Sequence, residues 1–379
     1  MKYLHAFVLL ATSFTPNVLL QGAGLSQQAA EAALQELLRE QVAAARPAFQ
    51  QEWKDKQVKV GDKTMKFDYR TFGKKPPRGW DLYISMHGGG GAPAQVNDKQ
   101  WHNQIRLYQP PDCLYVAPRA PTNTWNLWHQ PHIDRLFDRL IQGAVHAKGA
   151  NPDRVYLMGY SAGGDGVYQV APRMADRLAA ASMMAGHPND ASPLGLRNIG
   201  FTIHVGAHDS GYNRNKVAAR WGEQLANLRK ADPGGYAHAV KIHKGLGHWM
   251  KLRDAQAIPW MRGFTRNPVP TRVVWKQSKV THPRFYWLTL PQDQVKPGTH
   301  IVAETEGQTI RILEAKGINR LTILMDDRML ELDHPVTLLH GDKKLFQGQV
   351  QRKRETLART LADRLDPRLA FCAEITVEL

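Results

Sequence analysis

Cysteine is nearly absent from this chain, with 2 residues in 379. That excludes a disulfide-built scaffold and a structural zinc site of four thiolates. Cys113 opens an apolar run and Cys372 lies near the C-terminus, and the two read as separate buried thiols rather than a bridge. Acidic residues are also in short supply: 34 Asp and Glu face 50 Lys and Arg, a net charge of +16. The excess is spread out, since residues 266–379 carry only +4 of it and the densest basic run is Arg352-Lys353-Arg354. No zinc-finger, RNP or helix-turn-helix pattern accompanies it, so no nucleic-acid partner is expected. A basic surface of this kind attracts, at most, anionic polysaccharide or an envelope surface. Past the N-terminus no apolar run is long enough to span a bilayer. What remains is an ordinary globular composition, 42% hydrophobic and 22% charged, which excludes a disordered or collagen-like chain. Nothing in it fixes an oligomeric state.

The first residues, MKYLHAFVLLATSF, place one Lys before an apolar run, and small residues follow at Gly22, Ala23 and Gly24. This is the order of a signal peptide over 1–24, and the expected location is secreted or periplasmic. Residues 25–57 carry Ala30, Leu34, Leu37, Leu38, Val42 and Ala45 at helical spacing and read as an amphipathic helical segment. From 58 to 265, short apolar strands alternate with helical patterns. The strand candidates are Lys66–Thr71, Leu82–Met86, Leu114–Ala117, Val155–Met158, Ala180–Met184, Ile199–Val205 and His238–Ile242. That alternation predicts an α/β fold with a doubly wound, mostly parallel sheet. Asn267-Pro268-Val269-Pro270 breaks the pattern. Residues 266–379 then read as a smaller, mainly β domain, with one helix around Glu355–Arg364. The run Arg284–Leu290 is expected to be a strand whose aromatic residues pack against the larger unit.

The chemistry gathers at the ends of the strands. Gly159-Tyr160-Ser161-Ala162-Gly163 matches G-x-S-x-G between a strand and a helical pattern, the context in which a sharp turn exposes a serine hydroxyl. His87-Gly88-Gly89-Gly90-Gly91 follows directly after another strand. A glycine cluster there leaves backbone N–H groups free to face a cavity, as an oxyanion requires. The hole is therefore assigned to Gly88, Gly89 and Gly90 with Ala162. No Lys-Ser/Thr follows the glycines, so they are not a P-loop. Asp209 and His248 each lie just past a later strand, where a doubly wound sheet places its site. In the order Ser161, Asp209, His248, the imidazole takes the hydroxyl proton and the carboxylate holds the imidazole. Asp190 is the reserve acid and His243 the reserve base. Asp165 lies too near Ser161 in the chain to serve, and His208 lines the site at most. His129 and His132 lack a third ligand, so neither a metal nor another cofactor is expected.

In that order, HGGGG, GYSAGG, GAHD and GLGHW resemble the α/β-hydrolase superfamily, and within it secreted esterases of the polyhydroxybutyrate-depolymerase and feruloyl-esterase type. The resemblance spans about residues 60–265. It implies an α/β-hydrolase sheet, a serine esterase mechanism through an acyl-enzyme, and the roles already given to Ser161, Asp209, His248 and the glycine loop.

Only 47 residues separate Ser161 from Asp209, too few for a large inserted lid. An open cleft is expected, one that tolerates polymeric or polysaccharide-linked esters. Tyr160, Trp125, Trp128 and Trp249 are the candidate substrate contacts, because aromatic faces stack on sugar rings and aryl acids. Two other readings stay open: a serine peptidase with the same machinery, and a non-catalytic carbohydrate- or surface-binding protein.

Overall fold

Alternating apolar runs and amphipathic segments build one large sheet covered on both faces. The computed structural model describes residues 24–379, so the expected leader, apart from Gly24, lies outside the described residues. Helix α1 (Gln27–Asp55) opens on Ser26, whose hydroxyl accepts the Ala29 N–H at 3.1 Å, and closes on Lys56 with φ 52°. It lies within the expected 25–57 segment, and Phe49 and Trp53 near its end are buried. Strands β1 (Gln57–Val60), β2 (Lys63–Phe72) and β3 (Trp80–Met86) follow, then α2 (Ala94–Leu107), β4 (Cys113–Pro118) and α3 (Pro131–Gly143). Next come β5 (Ala150–Tyr160), α4 (Ala162–Arg173), β6 (Ala180–Met184), β7 (Gly200–Gly206), α5 (Arg214–Ala231), β8 (His238–His243) and α6 (Ala257–Arg262).

The eight strands lie in the order β1-β2-β4-β3-β5-β6-β7-β8. All neighbours from β4 to β8 run parallel, and β1 and β2 are antiparallel additions at one edge. This is a doubly wound, mostly parallel α/β sheet. Its central strands are largely apolar because helices shield both faces. Leu82, Ile84, Leu114, Val155 and Ile203 are fully buried. On α3, Ile133, Leu136, Phe137, Leu140 and Ile141 form the face pressed on the sheet, and each such side chain contributes about 2 kcal/mol of burial. No helix among the described residues is long and apolar enough to cross a membrane.

Beyond Pro270 the architecture changes to short strands in two further sheets. β9 (Arg272–Lys276), β10 (Arg284–Phe285), β11 (Leu288–Thr289), β12 (His300–Glu306), β13 (Thr309–Lys316) and β14 (Arg320–Met325) come first. β15 (Val336–His340), β16 (Lys343–Gly348), α7 (Arg354–Arg364) and β17 (Ala373–Glu378) complete the chain. The sheets are ordered β10-β11-β14-β17 and β16-β15-β13-β12-β9. The stretch expected as one strand over Arg284–Leu290 is instead a tight hairpin, with Arg284 paired to Thr289 and Tyr286 at φ 53° in the turn. Phe285, Tyr286 and Trp287 are buried, so this aromatic run is packing. Trp287 donates its indole N–H to the Pro270 carbonyl at 2.8 Å.

One hydrophobic core runs from Trp53 and Phe137 in the large sheet unit to Trp287, Ile301 and Phe371 in the C-terminal sheets. A buried ionic seam accompanies it. Asp366 is held by Arg177 and Arg266 at 3.3 and 2.8 Å, and Arg364 by Asp138 at 2.7 Å. Both cysteines are buried and unpaired.

Candidate active site

The turn between β5 and α4 holds Ser161 at φ 58° and ψ −120°, a conformation a non-glycine residue adopts only when its surroundings enforce it. Here the enforcement is direct. The Ser161 N–H donates to the Met184 carbonyl at 2.9 Å, and the Ser161 carbonyl accepts the Asp165 N–H at 3.0 Å. Gly163 sits so close to the end of β3 that a Cβ would collide with the Met86 carbonyl oxygen. The flanking glycine of the G-x-S-x-G string is therefore a packing requirement of the turn.

Asp209 follows β7 and is buried. Its backbone N–H donates to the Gly206 carbonyl at 3.0 Å. One carboxylate oxygen, Oδ2, accepts from His248 Nδ1 at 2.8 Å, and the other faces Arg214 Nη1 at 3.4 Å. A proton on Nδ1 leaves Nε2 as the acceptor, and Nε2 lies 3.0 Å from Ser161 Oγ. The loop after β8 carries His248 and is anchored twice. The Leu246 carbonyl accepts the His208 N–H at 2.8 Å. The Tyr160 hydroxyl donates to the His248 carbonyl at 2.5 Å and accepts the Met250 N–H at 2.9 Å.

Opposite the imidazole, the glycine loop closes on the serine: a Cβ on Gly88 would lie 3.2 Å from Ser161 Cβ. The backbone N–H groups of Gly88, Gly89 and Ala162 make no hydrogen bond among the described residues. Gly90 corrects the expectation, because its N–H donates to Asn97 Oδ1 at 3.0 Å and is not free to meet an oxyanion. Asn97 is buried, and its amide also donates to the Gly90 carbonyl at 3.0 Å, so Gly90 is the loop's anchor.

Two further residues hold this loop. His87 is fully buried, with Nδ1 2.5 Å from the Gly88 carbonyl and Nε2 accepting the Ala120 N–H at 3.2 Å. Burial pulls its pKa down to about 4, so it stays neutral. Trp128 has no exposed surface and donates its indole N–H to the His87 carbonyl at 2.9 Å. The expected substrate contact at Trp128 is thus corrected to a strut beneath the loop. His87 stood in the sequence only as the head of a glycine string. Asn97 gave no signal, since its partner lies across a turn that only the fold defines.

Ser161 opens onto two chambers. One, of about 690 Å³, is walled by Gly88, Gln100, Tyr160, His248 and Trp249. The other, of about 510 Å³, is walled by Gly90, Trp125, Asp165, Tyr212 and Arg214. Trp249 is 50% exposed and Trp125 65% exposed, so each presents a ring to solvent at the rim. Burial raises the Asp165 carboxyl to about 6, and its oxygen accepts the His187 N–H at 2.6 Å.

The reserve residues point elsewhere. Asp190 pairs with Lys279 at 2.8 Å, and the His243 ring meets His204 at 3.1 Å. His208 is exposed and contributes its backbone to the loop. Among the described residues no group of three or more His, Cys, Asp or Glu is placed to hold a metal ion.

No family profile and no curated protein matches the chain. Solved structures do. A thermostable esterase is similar over 55% of this chain at 16% identity, with a TM-score of 0.42, and the chain spans 62% of that protein's length. A poly(3-hydroxybutyrate) depolymerase from Bordetella parapertussis is similar over 54% of this chain and 88% of its own, at 15% identity and a TM-score of 0.40. The feruloyl esterase module from Clostridium thermocellum is similar over 55% of this chain and 86% of its own, at 14% identity and a TM-score of 0.39.

Proposed function

We propose that this chain is an exported serine ester hydrolase that works through an acyl-enzyme, with Ser161 as nucleophile, His248 as base and Asp209 as the acid that orients it. The observation that carries the reading is the unbroken relay from Asp209 Oδ2 to His248 Nδ1 at 2.8 Å and from His248 Nε2 to Ser161 Oγ at 3.0 Å, beside three unpartnered N–H groups. Ser161 Oγ attacks the ester carbonyl as its proton passes to Nε2. The Asp209 carboxylate stabilises the imidazolium. The carbonyl oxygen gains charge and is met by the N–H groups of Gly88 or Gly89 and of Ala162, the last at the start of α4 where the helix dipole favours an anion. His248 then protonates the departing alkoxide, and a water repeats the sequence to release the acid.

The cleft is open on both sides of the nucleophile, which suits bulky esters, including polymeric and polysaccharide-linked ones. The expected leader over 1–24 supports export to the periplasm or beyond. The test is hydrolysis of p-nitrophenyl acetate and butyrate by the purified mature chain, set against Ser161→Ala and a peptide panel. The proposal expects ester turnover, fluorophosphonate labelling of the wild type, and loss of both in the variant. Turnover that survives in Ser161→Ala, or preferential cleavage of the peptides, overturns it.

A further inference from the structure

The two chambers beside Ser161 differ in charge. In the chamber walled by Trp125 and Tyr212, the guanidinium of Arg214 sits with carboxyl groups nearby: Asp165 lines the same wall and Asp209 is 3.4 Å from Nη1. In the other chamber no carboxylate lines the wall. Its single formal charge is Arg106, exposed on α2 and without an ion-pair partner among the described residues. Neutral donors stand beside it. Gln100 and Asn103 lie one turn apart on α2 and line the same wall, whereas the Gln104 amide is already committed to Ser85 Oγ at 2.7 Å. Leu107 and the half-exposed Trp249 supply apolar surface.

The imidazole of His248 is a wall of this chamber and not of the other. The group that leaves as an alkoxide must sit beside the imidazole that protonates it. The cationic chamber is therefore where the alcohol part of an ester belongs. An unpaired guanidinium flanked by amide donors recognises a carboxylate, and Trp249 with Leu107 covers a short carbon stem. Resting on the serine-hydrolase reading, we propose that the substrate's alcohol part is a hydroxy acid with a free carboxylate, and that Arg106 is the specificity residue that binds this carboxylate. The bond broken is the ester bond itself. The acyl C–O bond breaks, and the hydroxy acid leaves with the ester oxygen and takes the Ser161 proton through His248. Water then gives its OH to the acyl carbon and its remaining proton back to Ser161, so the carboxylate at Arg106 takes no part in the chemistry.

Arg106 also stands in the last turn of α2, where a cation suits the helix dipole, so the test must separate recognition from fold. Wild type, Arg106→Gln and Arg106→Glu are compared on the O-acetyl ester of a short hydroxyalkanoic acid and on the primary amide of the same compound, with acetate release as the readout. O-Acetylated glucuronate and its primary amide form a second pair, which separates a sugar-acid source from an aliphatic one.

The wild type is expected to favour the free acid of one pair by about fivefold in kcat/KM, mostly through KM, since the contact is exposed and partly screened. Arg106→Gln should bring that ratio to about one and Arg106→Glu should reverse it, and rising ionic strength should erode it in the wild type. A wild-type ratio of one in both pairs, or a preference that survives Arg106→Gln, overturns the proposal. A drop in Tm with an unmoved ratio does the same, because it assigns Arg106 to the helix end. If p-nitrophenyl acetate is cleaved while neither pair shows a preference, the hydrolase reading stands and the carboxylate falls. If p-nitrophenyl acetate is untouched as well, the hydrolase reading falls and takes the proposal with it.

Discussion

The hydroxyl of Tyr160 donates to the backbone carbonyl of His248 at 2.5 Å while accepting the Met250 N–H at 2.9 Å. The residue before Ser161 thus fastens the loop that carries His248. Two loops that are 88 residues apart in the chain share one hydrogen-bonding centre, and the distance from Nε2 to Oγ depends on it.

Tyr160→Phe keeps the ring and removes both bonds. Freed at two points, the His248 loop should sample geometries in which Nε2 is out of reach of Ser161. We expect kcat on p-nitrophenyl butyrate to fall by about tenfold, with KM nearly unchanged, because misplacement of reacting groups costs rate more than binding. A wild-type kcat in this variant removes the positioning role from Tyr160.

Asn97→Ala addresses the opposite wall. Its amide holds both the N–H and the carbonyl of Gly90 at 3.0 Å. Without it, these buried backbone groups lose their partner and the adjacent Gly88 and Gly89 N–H groups lose their aim. A fall of about 10- to 100-fold in kcat is expected, the range of a weakened oxyanion donor, while fluorophosphonate labelling of Ser161 persists at a reduced rate. Full activity would detach Asn97 from the site.

Acid should weaken the fold through its buried histidines, offset in part by Asp165, whose raised carboxyl takes up a proton on the folded chain near 6. Burial holds His87 and His129 down to about 4, and burial with the neighbouring His243 holds His204 to about 3. These folded-state values are below that of the unfolded chain, near 6.5. The unfolded state therefore binds more protons between about pH 6.5 and 4. The stabilisation is fully present above about 6.5 and is lost as pH falls through that window, by up to about 1.4 kcal/mol per unit for each group. Thermal melts at pH 7.5 and pH 5.5 should differ by several degrees. His204→Gln should shrink the difference, and a pH-independent Tm would contradict the assignment.

Strands buried on both faces were legible because the sequence carries an unbroken apolar run there, and Ala180–Met184 matches β6 residue for residue. The meeting of Ser161, Asp209 and His248 was legible for a related reason: a residue just past a strand end is marked by the strand itself. Other strands give little apolar signal. β1 (Gln57–Val60) and β16 (Lys343–Gly348) are short edge strands whose lysines serve the solvent side, and β12 (His300–Glu306) ends on the acidic and threonine-bearing Glu304-Thr305-Glu306. An edge strand needs no apolar run, so pattern reading passes over it. Trp128 and Trp249 look alike as tryptophans near a glycine loop, yet one is a fully buried strut and the other half exposed. Only long-range packing separates them. The same holds for His87 and Asn97, whose partners lie in other loops.

The C-terminal sheets should not be separable from the rest of the chain. Asp366, buried between Arg177 and Arg266, is the test residue. Burial alone would raise its carboxyl, but the two guanidinium groups overcome that and hold it at about 2. Its pKa is lowered on folding, so its stabilising contribution is present above about 4 and is lost as pH falls toward 2. Asp366→Asn leaves two buried arginines short of a counter-charge. Removing one partner of such a cluster costs about 3–5 kcal/mol, and it should appear as a lower midpoint in urea with an unchanged slope. Truncation after Thr265 goes further. It exposes the core face under Trp287 and Phe371, strips α7 from α1, and leaves Arg177 and Asp138 without Asp366 and Arg364. The truncated chain should be insoluble or molten, and one cooperative transition should describe the full-length protein. A soluble, active fragment, or two separated transitions in calorimetry, would mean that the seam joins two independently stable units.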